Sequence, residues 1–277
     1  MYFDYYSASI PHPAGLCVDA LSDEFGTKFL KARPHPNYKH GLESPDGNFW
    51  LYHGGSNPHP FFVSTGQDAS AGADALRKIF PDHSVSRADV AHDFIAERGF
   101  DRIIEKIDPI ARKARVKVLF MGDPSPDQKD GRTMYYGSPD SDLMIRVYEK
   151  DREQISKGVP AENVPEGWTR VELQARPRKG RKLLVASMNE AEVFGLSKWS
   201  KRVAEEVLGQ AGMVPYTPDR SMRESTAERA VRHMLDQYGN AMRAFVGLYG
   251  RKALDTKISD TLLDDTQLSK RRKPVMQ

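Results

Sequence analysis

Three segments of this chain put chemically capable side chains in the middle of strand-like patterns. In HSVSRADVAHDF, from His83 to Phe94, alternation sets Val85, Arg87, Asp89 and Ala91 on one face and Ser86, Ala88, Val90 and His92 on the other. LMIRVYEK (143–150) sets Met144, Arg146 and Tyr148 on one face, and WTRVELQAR (168–176) does the same for Arg170, Glu172 and Gln174. A carboxylate on a covered sheet face is costly unless it has a partner. Asp89, with Asp93 from the same strand, and Glu172 would together make a hard, oxygen-rich site for Mg2+ or Mn2+. A tyrosine beside such an ion can attack phosphorus, because the ion polarises the phosphate and stabilises the departing oxygen. Arg87, Arg146 or Arg170 would hold the phosphate through a bidentate contact. The same pattern also describes cross-strand ion pairs, Arg87 with Asp89 and Arg170 with Glu172, and an ordinary sheet tyrosine at position 148 with its hydroxyl at the rim.

The elements that must position these groups are legible in outline. Residues 1–65 read as irregular chain broken by short strands: FDYYSAS near Phe3, NFWLYH before Gly54 and PFFVST from Pro60, with proline-histidine turns between them. Residues 68–79 read as a short helix. Phe100, Ile103, Ile104, Ile107 and Ile110 recur at helical spacing, and Pro109 is expected to kink or end that helix. VKVLFMG (116–122), a polar turn DPSPDQKDG and TMYYG (133–137) read as a hairpin. After about Lys182 the character is helical, with Trp199, Val203 and Val207 as a core stripe. Ser225 and Glu228 fit a capping box that opens a helix to about Leu248. From Lys252 a polar, mobile tail is expected, ending in Lys270, Arg271, Arg272 and Lys273. The expected divisions are a sheet domain over 1–182, a helical region over 183–251 and a basic tail over 252–277.

Composition narrows the class. With 277 residues and 39% hydrophobic content the chain can bury a real core, and no apolar run is long enough to span a bilayer. The N-terminus lacks a basic region followed by an apolar stretch, and the one cysteine, Cys17, excludes an internal disulfide and a cysteine-only zinc site. These points lead to an expectation of a cytoplasmic protein without a membrane partner. The net charge of +3 says little, but local basic groups, among them Arg176, Arg178, Lys179, Arg181 and Lys182, suit phosphate contact or a solvated surface equally.

The order and wording of the segments carry a resemblance. TMYYGSPDSDLMIRVYEK resembles the "T-x-Y-x-G-S" and "R-x-Y-x-K" signature of the rolling-circle replication initiators of plasmids and filamentous phages. SRADVAHDF is similar to that family's "R-x-D-x-A-x-D" strand, TRVELQAR to its "R-x-E-L" strand and FGLSKWSKRVAEEVLG to its "G-x-S-x-W" helix. The resemblance spans roughly Pro60 to Leu208.

It implies an α+β fold: a mainly antiparallel sheet with helices packed on one face and the site on the other, plus a helical C-terminal part. It implies a metal-dependent endonuclease and strand transferase that attacks origin DNA and forms a 5′-phosphotyrosyl link. Matched residue by residue, the nucleophile is Tyr148, with Tyr136 next and Tyr135 third. Asp89 and Glu172 fall on metal positions, with Asp93 as the second acid of its strand. Lys150 would stabilise the phosphate or a tyrosinate, or serve only as a surface residue. Arg87, Arg146, Arg170, Arg178, Lys179 and Arg181 are the candidate DNA contacts. Origin DNA, a host helicase and a second copy of the chain are the implied partners. The sequence departs from many rolling-circle enzymes in having no His-x-His pair. A conjugative relaxase-type nickase, a metal-dependent nuclease using water, and a non-catalytic DNA-binding regulator of the same fold remain alternatives.

Overall fold

A computed structural model describes residues 1–122, 131–209 and 226–263. The polar turn after Gly122, the capping serine Ser225 and the basic tail from Lys270 lie outside the described residues.

The chain divides into two compact units, Met1–Thr217 and Pro218–Gln277. The first is built on a single sheet. Its strands in chain order are β1 (Tyr2–Ser9), β2 (Leu30–Ala32), β3 (His40–Glu43), β4 (Phe49–His53), β5 (Phe61–Thr65), β6 (Ser84–Ile95), β7 (Val118–Met121), β8 (Thr133–Tyr136), β9 (Leu143–Glu149) and β10 (Trp168–Ala175). Across the sheet they run β2-β3-β4-β5-β1-β6-β10-β9-β8-β7. Every neighbouring pair is antiparallel.

One face of the sheet is apolar because alternate residues along each strand are. Phe3, Tyr6, Leu51, Phe62, Val90, Leu173, Val171, Val147 and Ile145 all enter the core from it. The helices that cover it bring matching stripes. In α1 (Ala14–Phe25), Cys17 and Leu21 are buried one turn apart. In α2 (Ala69–Ile79), Gly72 lies so close to β5 that an added Cβ would sit 2.4 Å from the Ser64 hydroxyl. In α3 (Gly99–Lys113), Phe100, Ile103, Ile107 and Ile110 point inward, and the helix does not end at Pro109 but continues to Lys113. One missing N–H is outweighed by that continuous apolar face.

After β9 comes the short α4 (Lys150–Ser156). After β10 come α5 (Arg181–Ala186), α6 (Glu190–Phe194) and α7 (Lys198–Glu206). Val185, Phe194, Leu196, Val203 and Leu208 join the same core, with Trp199 and Val207 packed against it. The boundary expected near Lys182 therefore falls inside the first unit. In the second unit the described residues form α8 (Thr226–Tyr249) and α9 (Arg251–Leu263), joined at Gly250 with φ 82°. Helix α9 occupies part of the segment expected to be a mobile tail. Among the described residues no helix is long and apolar enough to cross a membrane.

Candidate functional site

The polar face of the sheet carries the candidate groups, and strand register decides which of them meet. Strands β6, β10 and β9 are consecutive neighbours. Asp89 stands opposite Gln174, Glu172 lies between Ala91 and Arg146, and Arg170 lies between Asp93 and Tyr148. Residues directly opposite in an antiparallel pair project to the same side, so all of these share one face. A bulge makes β6 depart from simple alternation: Ser7 pairs with Arg87 but Ala8 with Val85, leaving Ser86 unmatched. Val85 consequently turns into the core, whereas plain alternation had set it beside Arg87.

Two ion pairs sit side by side at the centre. Arg87 binds both oxygens of Asp89, with Nε at 2.9 and 3.1 Å. Arg146 binds Glu172 Oε1 through Nε at 2.8 Å and Nη2 at 2.6 Å. The carboxylates are covered, Asp89 at 2% and Glu172 at 0% side-chain exposure, while Arg87 and Arg146 keep 31% and 32%. The acids are the floor of the site and the guanidinium groups its rim. Gln174 Nε2 also reaches Asp89, at 3.4 Å. The Tyr148 hydroxyl donates toward Glu172 Oε2 at 3.4 Å.

This crowding perturbs the titrations. Burial, with the charge of Asp89, pushes the Glu172 carboxyl up to about 7 despite the opposing pull of Arg146. Burial, with the charge of Glu172, pushes the Tyr148 phenol well above its ordinary value, against Arg170 and Arg146. Beside Tyr148 opens a cleft of about 250 Å³ that includes Arg132, Tyr135, Arg146 and Arg152 in its lining.

Of the other candidates, Lys150 and Arg170 lie beside Tyr148 but are engaged by acids of their own, and the rest lie apart. Asp93 is four residues from Asp89 along β6, about 13 Å at ~3.3 Å per residue. Its carboxylate accepts from the Tyr2 hydroxyl, Trp168 Nε1 at 2.9 Å and Arg170 Nε at 2.7 Å. Burial alone would raise that carboxyl, but these bonds hold it below the usual range. Arg170 also binds Asp4 at 3.0 Å and is itself buried, so it ties strands together rather than facing solvent. Tyr136 lies on the apolar face, fully buried, its hydroxyl donating to Asp108 of α3 at 2.7 Å. Lys150 begins α4, with its ammonium 5.6 Å from the Tyr148 ring centre and 2.5 Å from Glu153. Arg178 and Arg181 contact Asp142 before the far end of β9, away from Tyr148, with Lys179 between them in sequence.

Tyr135, ranked last of the three tyrosines, pairs with Arg146 in register and lines the cleft. The signal was available: in TMYYG, Tyr136 alternates in phase with the apolar Met134, and Tyr135 with Thr133.

Among the described residues no group of three His, Cys, Asp or Glu side chains could hold a metal ion. Asp89 and Glu172 nevertheless suit a hard cation that takes one or two carboxylates, waters and substrate phosphate oxygens. Their present guanidinium partners are the kind of groups that phosphate itself would draw away.

Comparison with known proteins adds the following. A family model described as "Replication initiation factor" matches residues 83–253, more than half of the chain. A solved structure, the rolling circle replication initiator protein from Geobacillus stearothermophilus, is similar at 19% identity and a TM-score of 0.48, over 70% of this chain and 82% of that one. No curated protein gives a match. The matched residues contain the three strands that bear Asp89, Tyr148 and Glu172, and this chain belongs to the replication initiation factor family.

Proposed function

We propose that the chain nicks one strand of origin DNA to start rolling-circle replication, with Tyr148 as the nucleophile. The observation that carries this reading is the Tyr148 hydroxyl aimed at Glu172 on the polar sheet face, with Arg87 and Arg146 partly exposed at the rim. An incoming phosphodiester gives both guanidinium groups a more accessible anion than the buried carboxylates they now hold. The phenolic oxygen attacks phosphorus and its proton leaves toward Glu172 Oε2, the acceptor it already faces. The bond from phosphorus to the 3′ oxygen breaks, and that oxygen takes up a proton from water to become a 3′ hydroxyl. The phosphate stays on Tyr148 as a 5′-phosphotyrosyl ester, so bond energy is retained for a later transfer that closes the displaced strand.

Asp89 and Glu172 would hold Mg2+ or Mn2+. When bound, the ion would polarise the phosphate and stabilise the departing oxygen. A second reading, a DNA-binding regulator without chemistry, draws on the fact that both acids already have cationic partners. The assay that separates them incubates the chain with single-stranded origin DNA and Mn2+ and runs the product on a denaturing gel. The proposal expects a covalent adduct that Tyr148→Phe abolishes while DNA binding survives. Cleavage without an adduct would point to water as the nucleophile, and no cleavage at all to the regulator.

A further inference from the structure

The strands outside the family match carry an aromatic surface that the proposed chemistry does not use. Trp50 and Tyr52 on β4 are half-buried and alternate with the core residues Phe49 and Leu51. They therefore face the same side of the sheet as Tyr148. Register makes the connection explicit: Trp50 pairs with Val63, Val63 with Ser7, and Ser7 with Arg87. The row that starts at Trp50 thus ends at the guanidinium that holds Asp89, and Arg87 itself lies 4.5 Å from the Tyr5 ring centre. The loop before β3 folds His35 over Tyr52, with ring centres 5.5 Å apart. Trp50 makes no ring contact among the described residues and lines an open cleft of about 450 Å³ whose lining includes Arg33, His35, Glu43 and Tyr52. Between Phe25 and Leu42 there is no acidic residue, while Lys28, Lys31, Arg33 and Lys39 are all exposed; Glu43, opposite Trp50 in register, is the one acid among the described residues in the lining of the cleft.

We infer that Trp50 and Tyr52, flanked by these basic residues, form a stacking platform for unpaired bases of the single strand whose phosphate reaches Tyr148. The inference rests on the nicking proposal for its strand, but it concerns base contacts about five strand spacings away, roughly 24 Å at ~4.8 Å each. Aromatic faces beside a basic groove bind single-stranded nucleic acid by stacking plus phosphate attraction, with little dependence on sequence. A half-buried indole on the face away from the core is poorly explained by core packing, and the register row through Val63 and Ser7, both covered, sets it in line with Arg87.

The test is anisotropy titration of the full chain, in EDTA to prevent cleavage. The probes are an oligothymidylate about twenty nucleotides long, enough to span such a groove, and an abasic sugar-phosphate oligomer of equal length. Trp50→Leu and Tyr52→Leu should each weaken thymidylate binding by roughly 5- to 150-fold, the range for loss of one stacked base. Trp50→Phe should recover most of it, and affinity for the abasic oligomer should not change. Equal losses on both oligomers, or none on either, would overturn the platform. A readout that keeps an aromatic ring in place is quenching of tryptophan emission by thymidylate. It should be smaller in Trp50→Phe than in the wild type, and equal quenching would count against the inference. If the wild-type chain gives no adduct with Mn2+ while the base-dependent binding persists, the nicking proposal fails and the platform stands.

Discussion

Glu172→Gln should make the protein increasingly more stable than the wild type as pH rises, and the size of the difference follows from the site. Glu172 has no exposed surface, and burial together with Asp89 outweighs Arg146, carrying its carboxyl from an ordinary 4.5 to about 7. Because the folded value is raised, the folded chain holds this proton more tightly than the unfolded chain. Stability from this group is therefore full below about pH 4.5 and is lost as pH climbs through about 7. The shift corresponds to roughly 3 kcal/mol at 1.36 kcal/mol per tenfold change in proton affinity. Glutamine mimics the protonated acid and does not titrate, so it escapes the loss. Urea unfolding of both proteins in EDTA, from pH 4.5 to 8.5, should show the variant gaining about 3 kcal/mol relative to wild type across the range. The other titrating groups largely cancel in that difference. Asp89→Asn should flatten the wild-type slope by removing the neighbouring negative charge. A difference that stays flat with pH, or a variant that loses stability as pH rises, would mean that Arg146 dominates and that the reasoning about burial is wrong.

Other predictions concern the groups around this centre. Asp93→Asn should cost about 3–5 kcal/mol in urea unfolding because it leaves buried Arg170 without its main partner; unchanged stability with loss of Mn2+ binding would instead make Asp93 a ligand. Tyr136→Phe should cost about 1 kcal/mol, the hydrogen bond to Asp108, and leave adduct yield on the denaturing gel unchanged. Loss of the adduct in that variant would contradict its position on the apolar face. Magnesium should raise the melting temperature at pH 8 in proportion to its binding, and less at pH 6, where a proton competes for Glu172. Equal shifts in wild type and in Asp89→Asn would show that the ion binds elsewhere.

The period-two strands were readable from the chain because each alternates over at least seven residues, which placed Arg170, Glu172 and Gln174 together correctly. Their partners were less readable. Within-strand spacing suggested Arg170 with Glu172, yet register across β9 and β6 pairs Glu172 with Arg146 and Arg170 with Asp93. Register depends on strand order, which joins residues 75 or more positions apart, as in β1 beside β6. The bulge at Ser86 was hidden for the same reason, since it exists only against β1. Helix α1 was missed among the proline turns because its apolar stripe rests on little more than Cys17 and Leu21. Arg87 with Asp89 is the one predicted pair that needed no tertiary information, being two residues apart on one strand.

The central claim is that the phosphate is transferred to Tyr148, and peptide mapping of the adduct addresses it directly. Trypsin cuts after Arg132, Arg146 and Lys150, so Tyr148 leaves on the tetrapeptide 147–150 while Tyr135 and Tyr136 leave together on 133–146. After nuclease trimming of adduct formed with Mn2+, mass spectrometry should find the nucleotide phosphate on the tetrapeptide. The same mass on peptide 133–146, with the tetrapeptide unmodified, would contradict the account.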